Sequence, residues 1–427
     1  MPSAATPAPA CPIATPADDA RSRAEALDSL LHAKAAELGG GLSPITLALS
    51  ATDWALYLTT QPAQTSRLVS EAWGMAAQAA WAAATQSHLP RDASERPDDQ
   101  RFQADAWQVW PYSWVVRNYL DAERWWRDAT QLRGMTAHHR DVVSVFARQW
   151  LDMLSPANAG LANPEVWART QERHGGNLVE GWTHAFDDWR RSHGLVQMFD
   201  HGQRFEPGKD VAVTPGRVVH RNHLVELIQY SPTTAAVHAE PVFIVPSWIM
   251  KYYILDLSAH NSMVRWLVDQ GHTVFILSWR NPDESDALLD MDDYLQLGVF
   301  DALSAIGQLV PGEAVHAVGY CLGGTLLAIA AAALARPERV AGAEALPRLV
   351  SLSFLAAETD FTEPGEMGVL IDESQVALLE DMMAERGYLT GRQMAASFQF
   401  LHSRELIWSA TLRELWMGEP LRPNDLM

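Results

Sequence analysis

One short segment of the sequence has the residue types of a nucleophilic catalyst. Residues 319–324, GYCLGG, lie between an apolar run, AVHAVGY, and an Ala/Leu-rich run, LGGTLLAIAAAALAR. A tight strand-to-helix turn exposes a thiol so that it can act as a nucleophile. A side chain at a flanking glycine would crowd the neighbouring strand and helix. The positive end of the helix favours a thiolate. The segment predicts that Cys321 is an acyl-carrying nucleophile; the alternative is a small buried cysteine in a glycine-rich packing turn.

Such a nucleophile needs hydrogen-bond donors for the oxyanion that forms during acyl transfer. The pattern G-x-C-x-G has the form of the α/β-hydrolase nucleophile elbow with Cys in place of Ser, where the N–H of the next residue, Leu322, is one donor. The second donor comes from the loop after the third strand, which reads VPSWIMKYYILD. Ser247 or Trp248 is the predicted donor, and the residues do not decide between them. The alternative is that this loop only connects two elements.

The elements around these residues predict an α/β fold. VAVTPGRVVHR and LVELIQYS are β-rich with a turn between them, and PVFIVP, TVFILSW, AVHAVGY and LVSLSFLA are typical of buried parallel strands. Strands that alternate with helical patterns indicate a doubly wound, mostly parallel sheet. We expect an α/β-hydrolase core over 205–361 and a helical cap region over 362–427. With six candidate strands where this fold has about eight, the core and the cap are expected to be incomplete.

The residues before the core predict a helical N-terminal domain over 21–204, after a disordered Ala/Pro tail at 1–20. In RAEALDSLLHAKAAELGGG, apolar residues recur at helical spacing and glycines supply a stop. Trp-rich helical stretches follow, with Trp73, Trp81, Trp107, Trp110, Trp114, Trp125 and Trp126. These tryptophans either pack between helices or form a surface for a hydrophobic partner or polymer.

Composition excludes several classes of function. The 52 acidic and 32 basic residues give a formal charge of -20, which argues against nucleic acid as a partner. No stretch approaches the ~20 uninterrupted apolar residues of a transmembrane span, and the N-terminus lacks the features of a secretory signal. Cys11 and Cys321 make no disulfide framework or zinc site. We therefore expect a cytoplasmic protein of two domains, with no metal and no redox cofactor.

The chain resembles the polyhydroxyalkanoate (poly-3-hydroxybutyrate) synthase family over about 101–427. The resemblance is carried by RFQADAWQVWPYSW, SPANAGLANPEV, GGNLVEGW, VAVTPGRVVHRNHLVELIQYSP, KYYILDL, GHTVFILSWRNPD, GYCLGGTLLA, TDFTEPGEMGVLIDES and LIWSATLRELWMG. It implies an acyltransferase that polymerises (R)-3-hydroxyacyl groups from coenzyme A thioesters at the surface of cytoplasmic polyester granules, with the nucleophile at Cys321. The long helical region is similar to the single-subunit type, and a homodimer is an open alternative.

The sequence departs from the family pattern in two places. The loop after the third strand has Ser247 and Met250 where the family usually has a second Pro and an Asn, and Trp248 is bulky enough to narrow an acyl channel. The Asp and His that assist the family's Cys lie on later loops, beyond Met427 of this sequence. The histidines weighed as substitutes are His260, His272, His316 and His402, of which His272 and His316 are expected to be structural. We expect no synthase activity from these 427 residues alone.

Two other functions fit the same residues. A thiol-dependent hydrolase, such as a thioesterase, uses the same elbow, since a fold does not fix a function. A non-enzymatic protein that binds granules or a partner is the other alternative. Chain growth or release of a free acid from a hydroxyacyl-CoA distinguishes the two enzymes. In either enzyme the coenzyme A thioester is a substrate and no cofactor is implied.

Overall fold

The computed structural model describes residues 43–85, 98–193, 195, 205–336, 338, 340 and 342–420, together with Asp28 and Leu31. The predictions made for the Ala/Pro tail and for Cys11 fall outside these residues. The same holds for the helix expected in RAEALDSLLHAKAAELGGG, apart from Asp28 and Leu31, which are helical.

A six-stranded, mostly parallel sheet forms the centre of the fold, as the sequence predicts. Its spatial order is β1-β2-β4-β3-β5-β6. The first two pairings, β1 with β2 and β2 with β4, are antiparallel, and β4, β3, β5 and β6 then run parallel. The strands are β1 (Gly216–Arg221), β2 (Val225–Tyr230), β3 (Val242–Val245), β4 (Val274–Trp279), β5 (Val315–Tyr320) and β6 (Leu349–Leu355).

Eleven α-helices of seven or more residues lie among the described residues. Six precede the sheet: α1 (Pro44–Thr60), α2 (Pro62–Thr85), α3 (Tyr112–Thr130), α4 (Ala137–Met153), α5 (Pro164–Glu172) and α6 (Gly176–Ser192). Three lie between strands and two follow them: α7 (Met263–Asp269), α8 (Asp301–Leu309), α9 (Leu322–Leu334), α10 (Glu373–Arg386) and α11 (Gly391–Leu401). A π-helical segment, Tyr294–Phe300, leads into α8, and two more, Arg404–Ser409 and Leu412–Trp416, follow α11. None of the described helices is long and apolar enough to cross a membrane.

The central strands are apolar on both sides because helices cover both faces of the sheet. Phe243 and Phe275 are fully buried and pack with residues of α8 and α9. Ile244 and Ile276, their neighbours along the strands, point to the other face and pack with α7. Each buried aliphatic or aromatic side chain of this size contributes roughly 1.5–3 kcal/mol of transfer free energy. The uninterrupted apolar runs of β3 and β4 therefore follow from two-sided burial.

Strand β6 differs from the buried strand that its sequence predicts. It pairs with β5, and no other described strand pairs with its free edge. Its apolar side chains Val350, Leu352 and Phe354 are 42%, 39% and 42% exposed. The apolar pattern identified a parallel strand correctly, but burial depends on neighbours that the pattern does not encode.

The tryptophans of the helical region divide between the two expected roles. Trp107 is buried, and the indole N–H groups of Trp114 and Trp125 donate to backbone carbonyls of α2. Trp73 and Trp81, on the outer face of α2, are 73% and 71% exposed. Packing between helices thus accounts for part of the set, and the two tryptophans of α2 form an exposed apolar surface.

The helices before the sheet also bind the helices after it. Arg101 lies in a half-buried ionic cluster with Glu123 and Asp152, at nitrogen–oxygen distances of 2.9 and 3.1 Å. Arg404, in the first π-helical segment after α11, approaches the same Asp152 oxygen at 2.9 Å. A carboxylate with 4% side-chain exposure needs such partners, because an unpaired buried charge is costly. The cluster therefore ties the cap region to the N-terminal helices.

Candidate active site

Cys321 occupies the turn between β5 and α9 that the sequence predicts. Its backbone dihedral angles are φ 54° and ψ -130°, which are rare for a residue with a side chain. The strained turn is held from both sides: the Cys321 N–H donates to the Leu355 carbonyl oxygen at 2.9 Å, and the Cys321 carbonyl accepts from the Gly324 N–H at 2.8 Å. Strain that the surroundings enforce in this way is characteristic of functional sites.

The three glycines around Cys321 are explained by close backbone contacts. A Cβ atom at Gly319 would lie 2.3 Å from the Gly324 Cα, and one at Gly324 would lie 2.4 Å from the Ala357 Cβ. A Cβ atom at Gly323 would lie 2.2 Å from the Val245 carbonyl oxygen. Real Cβ atoms do not approach heavy atoms so closely. The elbow therefore requires glycine at all three positions.

The loop after β3 lies directly against this elbow. Gly323 is in contact with the last residue of β3, Val245, and with the carbonyl group of Pro246. Leu322 immediately precedes Gly323, and Ser247 immediately follows Pro246, so the fold brings the predicted oxyanion donors to the same place. Ser247 is fully buried, and its Oγ accepts the N–H of Ile249 at 3.2 Å. The donor roles of Leu322, Ser247 and Trp248 remain predictions.

Two aromatic residues that sequence reasoning missed complete the surroundings of the loop. Trp248 packs against Tyr294 and Trp279, with ring centroids 5.5 and 6.4 Å apart. Trp279 and Tyr294 stack on each other at 5.4 Å. Burial raises the pKa of Tyr294, and the nearby charge of Asp286 raises it further, so its hydroxyl stays neutral. The sequence could have indicated Trp279 by its position, because it ends β4 at the same carboxyl edge of the sheet as Cys321.

Two of the histidines weighed as replacement bases, His316 and His272, make other contacts, and His260 and His402 are exposed. His316 pairs with Ser351 across β5 and β6, five residues from Cys321 along the chain, and its Nδ1 is 2.7 Å from the Ser351 Oγ. His272 lies before β4, near the ring of His238, and burial lowers its pKa. Among the described residues, no side chain hydrogen-bonds to the Cys321 sulfur. The described residues also bring no three His, Cys, Asp or Glu side chains together as a metal site.

Three family models match the chain. One described as poly-beta-hydroxybutyrate polymerase (PhaC) N-terminus matches residues 98–267, and one described as poly-beta-hydroxybutyrate polymerase N terminal matches 22–64. One described as alpha/beta hydrolase fold matches 240–415. A poly(3-hydroxyalkanoate) polymerase of Methylorubrum extorquens is 39% identical over 334 residues, which are 78% of this chain and 54% of that protein. This chain belongs to the poly(3-hydroxyalkanoate) polymerase family.

Other relatives agree with this assignment. A poly(3-hydroxyalkanoate) polymerase subunit of Rhizobium meliloti is 35% identical over 80% of this chain and 56% of that protein. The chain spans about half the length of the curated relatives it matches. A solved structure of inhibited esterase B from Lactobacillus rhamnosis covers 52% of this chain and 67% of that chain, at 16% identity and a TM-score of 0.29. A TM-score that low supports no further comparison.

The family assignment confirms the resemblance inferred from the sequence. The α/β-hydrolase fold of this polymerase family member is also confirmed, because the matching model covers the sheet from β3 to β6 and the elbow at Cys321. The helical N-terminal region corresponds to the family's N-terminal model, which ends within α7. The elbow and the loop after β3 are thus the candidate site.

Proposed function

We propose that this chain carries the acyl nucleophile of a polyhydroxyalkanoate synthase, an acyltransferase that polymerises (R)-3-hydroxyacyl groups from coenzyme A thioesters. The observation that carries the proposal is the position of Cys321, in a strained elbow whose next helical turn touches the loop after β3. Membership of a family whose relatives are named poly(3-hydroxyalkanoate) polymerases supports the substrate class.

In the first half-reaction, the Cys321 thiolate attacks the carbonyl carbon of the thioester. The carbon–sulfur bond to coenzyme A breaks, coenzyme A leaves as a thiol after it takes up a proton, and the acyl group stays on Cys321. The exchange of one thioester for another is nearly balanced in energy. The N–H groups of Leu322 and of Ser247 or Trp248 stabilise the oxyanion between these states.

In the second half-reaction, the 3-hydroxyl group of another unit attacks the Cys321 thioester. A base removes the hydroxyl proton, an oxygen ester forms, and Cys321 is released as a thiolate. No described side chain hydrogen-bonds to the sulfur, and this base is a residue outside the described ones. Water must be excluded from the intermediate, and this gives the helical cap region a function.

The proposed location is the surface of polyester granules in the cytoplasm. The exposed tryptophans Trp73 and Trp81, with Leu49 and Leu56 of the neighbouring α1, offer apolar side chains to such a surface. These four residues are 73%, 71%, 56% and 58% exposed. A second copy of the chain could use the same surface, and sedimentation without polymer would detect such a homodimer.

The test is acylation of Cys321 by radiolabelled 3-hydroxybutyryl-CoA in a protein extended to the length of the relatives. We expect label on the peptide that contains Cys321, loss of label in Cys321→Ala, and retention of label in Cys11→Ala. Growing polymer would support the synthase, and release of free 3-hydroxybutyrate without polymer would identify a thioesterase. Label that persists in Cys321→Ala would refute the assignment of the nucleophile.

A further inference from the structure

Lys251 lies in the loop after β3, and contacts with two other elements hold this loop in place. The Pro246 carbonyl group contacts Gly323 and accepts the indole N–H of Trp279, the last residue of β4, at 2.8 Å. Further along the loop, the exposed Lys251 Nζ donates to the Asn281 Oδ1 at 3.1 Å. Asn281 lies two residues beyond β4. The loop after β3 is thus fastened to the end of β4 at two places, one of which is the Lys251 ammonium group.

The backbone that follows Lys251 is also fixed. Lys251 precedes a short 3-10 helix, Tyr252–Leu255, whose first and last residues pack against the buried apolar cluster of β2 to β5 and α7. Asp256, directly after this helix, is fully buried and accepts the hydroxyl groups of Thr214 and Ser262, both at 2.6 Å. The fold therefore sets the position of the ammonium group, and this reduces the entropy that is lost when the group binds an anion.

Lys251 differs from its neighbours in charge pairing. Among the described residues, no carboxylate pairs with Lys251. Arg280, which directly follows β4, pairs with Asp283 and with Asp286. The segment after these arginine contacts is acidic, since residues 284–293 read ESDALLDMDD, and the whole chain has a formal charge of -20. An anion that reaches this edge of the sheet is therefore repelled by most of the nearby charge, and Lys251 is where its charge is compensated.

Lys251 lies at a distance from Cys321 and not beside it. Neighbouring strands are about 4.8 Å apart, and β3 lies between β4 and β5, so the ends of β4 and β5 are separated by roughly 10 Å. Lys251 meets the chain just beyond β4, whereas Cys321 directly follows β5. In a coenzyme A thioester, the pantetheine arm separates the reacting carbonyl group from the phosphate groups. A phosphate site therefore belongs at the same edge as the nucleophile but away from it.

We infer that Lys251 is a binding residue for a phosphate group of the coenzyme A thioester, and that it holds the substrate while the acyl group reaches Cys321. Lysine binds phosphate as a point charge with three rotatable donors. The inference rests on the proposed function, because the phosphate groups belong to the coenzyme A that acyl transfer releases. Lys251 does not touch the reacting atoms, so it acts on substrate binding and not on the attack by the thiolate.

The test compares thioesters with and without phosphate. 3-Hydroxybutyryl-pantetheine has the same reacting carbonyl group as 3-hydroxybutyryl-CoA but no phosphate. Acylation of Cys321 is followed against substrate concentration, in a protein extended to the length of the relatives. Lys251→Gln should raise the half-saturating concentration of the CoA thioester roughly 5–20-fold, a modest effect because water and salt screen an exposed ion pair. The maximal rate should stay within about twofold, and both values for the pantetheine thioester should be unchanged.

Three further variants separate the charge of Lys251 from its other properties. Asn281→Asp keeps the lysine but places a carboxylate on it, and should give the same selective rise in half-saturating concentration. Lys251→Arg keeps the positive charge and should retain most of the wild-type affinity. Lys209→Gln is the matched control, at an exposed lysine that pairs with Glu206 at 3.4 Å, and should change neither value.

A third substrate identifies the phosphate group. 3-Hydroxybutyryl-dephospho-CoA lacks the 3′-phosphate of the ribose and keeps the pyrophosphate. If Lys251→Gln has no effect with this substrate, the lysine binds the 3′-phosphate; if the effect persists, it binds the pyrophosphate. Either result supports the inference, provided that the pantetheine thioester is unaffected.

The outcomes distinguish failure of the inference from failure of the proposed function. Wild-type protein that is not acylated at Cys321 by any of the three thioesters would contradict the proposed function. Wild-type acylation with an unchanged half-saturating concentration of the CoA thioester in Lys251→Gln would overturn the inference alone. An equal rise for the CoA and pantetheine thioesters would also overturn it, because the lysine would then support the loop and not bind phosphate.

Discussion

Asn177, in the first turn of α6, donates a side-chain hydrogen bond of 2.7 Å to the backbone carbonyl of Trp416, in the last described helical segment. Two glycines allow this approach. A Cβ atom at Gly160 would lie 2.8 Å from the Trp416 ring, and one at Gly418 would lie 2.5 Å from the Asn177 carbonyl oxygen. The N-terminal helices therefore hold the end of the cap region through backbone contacts, which leave little freedom for substitution.

The same contact predicts a large effect of a small substitution at Gly181. A Cβ atom there would lie 1.9 Å from the Leu415 carbonyl oxygen, so Gly181→Ala must push α6 and the last π-helical segment apart. We expect a loss of about 2–3 kcal/mol in the free energy of unfolding, measured by denaturant titration. Gly74→Ala, in α2 with open space around the new methyl group, should instead gain about 0.5–1 kcal/mol. Equal effects of both substitutions would contradict the close contact.

The strain at Cys321 predicts an order of stability among variants that lack the thiol. At φ 54°, Cys321→Gly should be about 1 kcal/mol more stable than Cys321→Ala, because glycine adopts this conformation without a Cβ penalty. Ser353 in β6 provides the control, since its extended backbone should make Ser353→Ala more stable than Ser353→Gly. Thermal unfolding of the four variants measures both differences. An identical order at the two positions would rule out strain at the elbow.

Asp372 predicts a dependence of stability on acid pH. Burial by itself would raise the pKa of its carboxyl group, but the hydrogen bonds from Gln375, Thr46 and His138 outweigh burial and hold this pKa below the ordinary 3.8. A lowered pKa in the folded state contributes stability that is fully present above the unfolded value and is lost as the pH falls through the folded pKa. Wild-type stability should therefore decline below about pH 4.

Replacement of this carboxylate should flatten that decline. Asp372→Asn keeps a helix-capping side chain but loses the charge, so we expect a loss of about 1–2 kcal/mol at pH 7 and a smaller further loss between pH 5 and pH 3. Denaturant midpoints at pH 7, 5 and 3 measure both effects. Asp292→Asn, at an exposed carboxylate, should follow the wild-type profile. If the stability of Asp372→Asn and that of wild type declined in parallel, the lowered pKa of Asp372 would be contradicted.

Trp248 predicts a change in acyl-chain selectivity, given the proposed function. It lies in the loop that touches the elbow, and its ring contacts Trp279 and Tyr294. Trp248→Ala should widen the tolerance for longer acyl chains and keep turnover of the preferred short substrate within about tenfold, or ~1.4 kcal/mol of barrier. Competition between acyl-CoA substrates of different length measures this selectivity. An unchanged preference would argue against a role of Trp248 at the entrance of the acyl channel.

The 427 residues by themselves should release coenzyme A slowly. No described side chain hydrogen-bonds to the Cys321 sulfur, and help from a general base is typically worth 10²–10⁴-fold. The measurement compares coenzyme A release by residues 1–427, by their Cys321→Ala variant and by a protein extended to the length of the relatives. A rate for residues 1–427 equal to that of the extended protein would mean that a histidine of this chain, His402 first, is the base.

Local patterns in the sequence were sufficient for the elbow and for the strands. The glycines around Cys321 are needed because neighbouring atoms lie too close for a side chain. The apolar runs of four to seven residues in β3 to β6 are typical of the strands of an α/β sheet. The oxyanion donors stay predictions, and they were chosen by their place in the chain, since Leu322 follows Cys321 and Ser247 lies two residues after the end of β3. The sequence could not choose between Ser247 and Trp248, because both nitrogens lie in the same loop.

Only the tertiary structure decided which side chains act on these elements from a distance. Trp279 and Pro246 are 33 positions apart, and Asn177 and Trp416 are 239 apart, so no local pattern links either pair. The tertiary structure also determined which apolar side chains are exposed. Strand β6 and helix α2 have apolar sequences, yet Phe354 and Trp73 face outward. Apolar periodicity indicates which element of secondary structure forms, whereas the burial of that element depends on what packs against it. For this protein, the sequence determined the glycine-flanked turn at Cys321, and the tertiary packing determined what holds the loop after β3 and the helices after β6 in place.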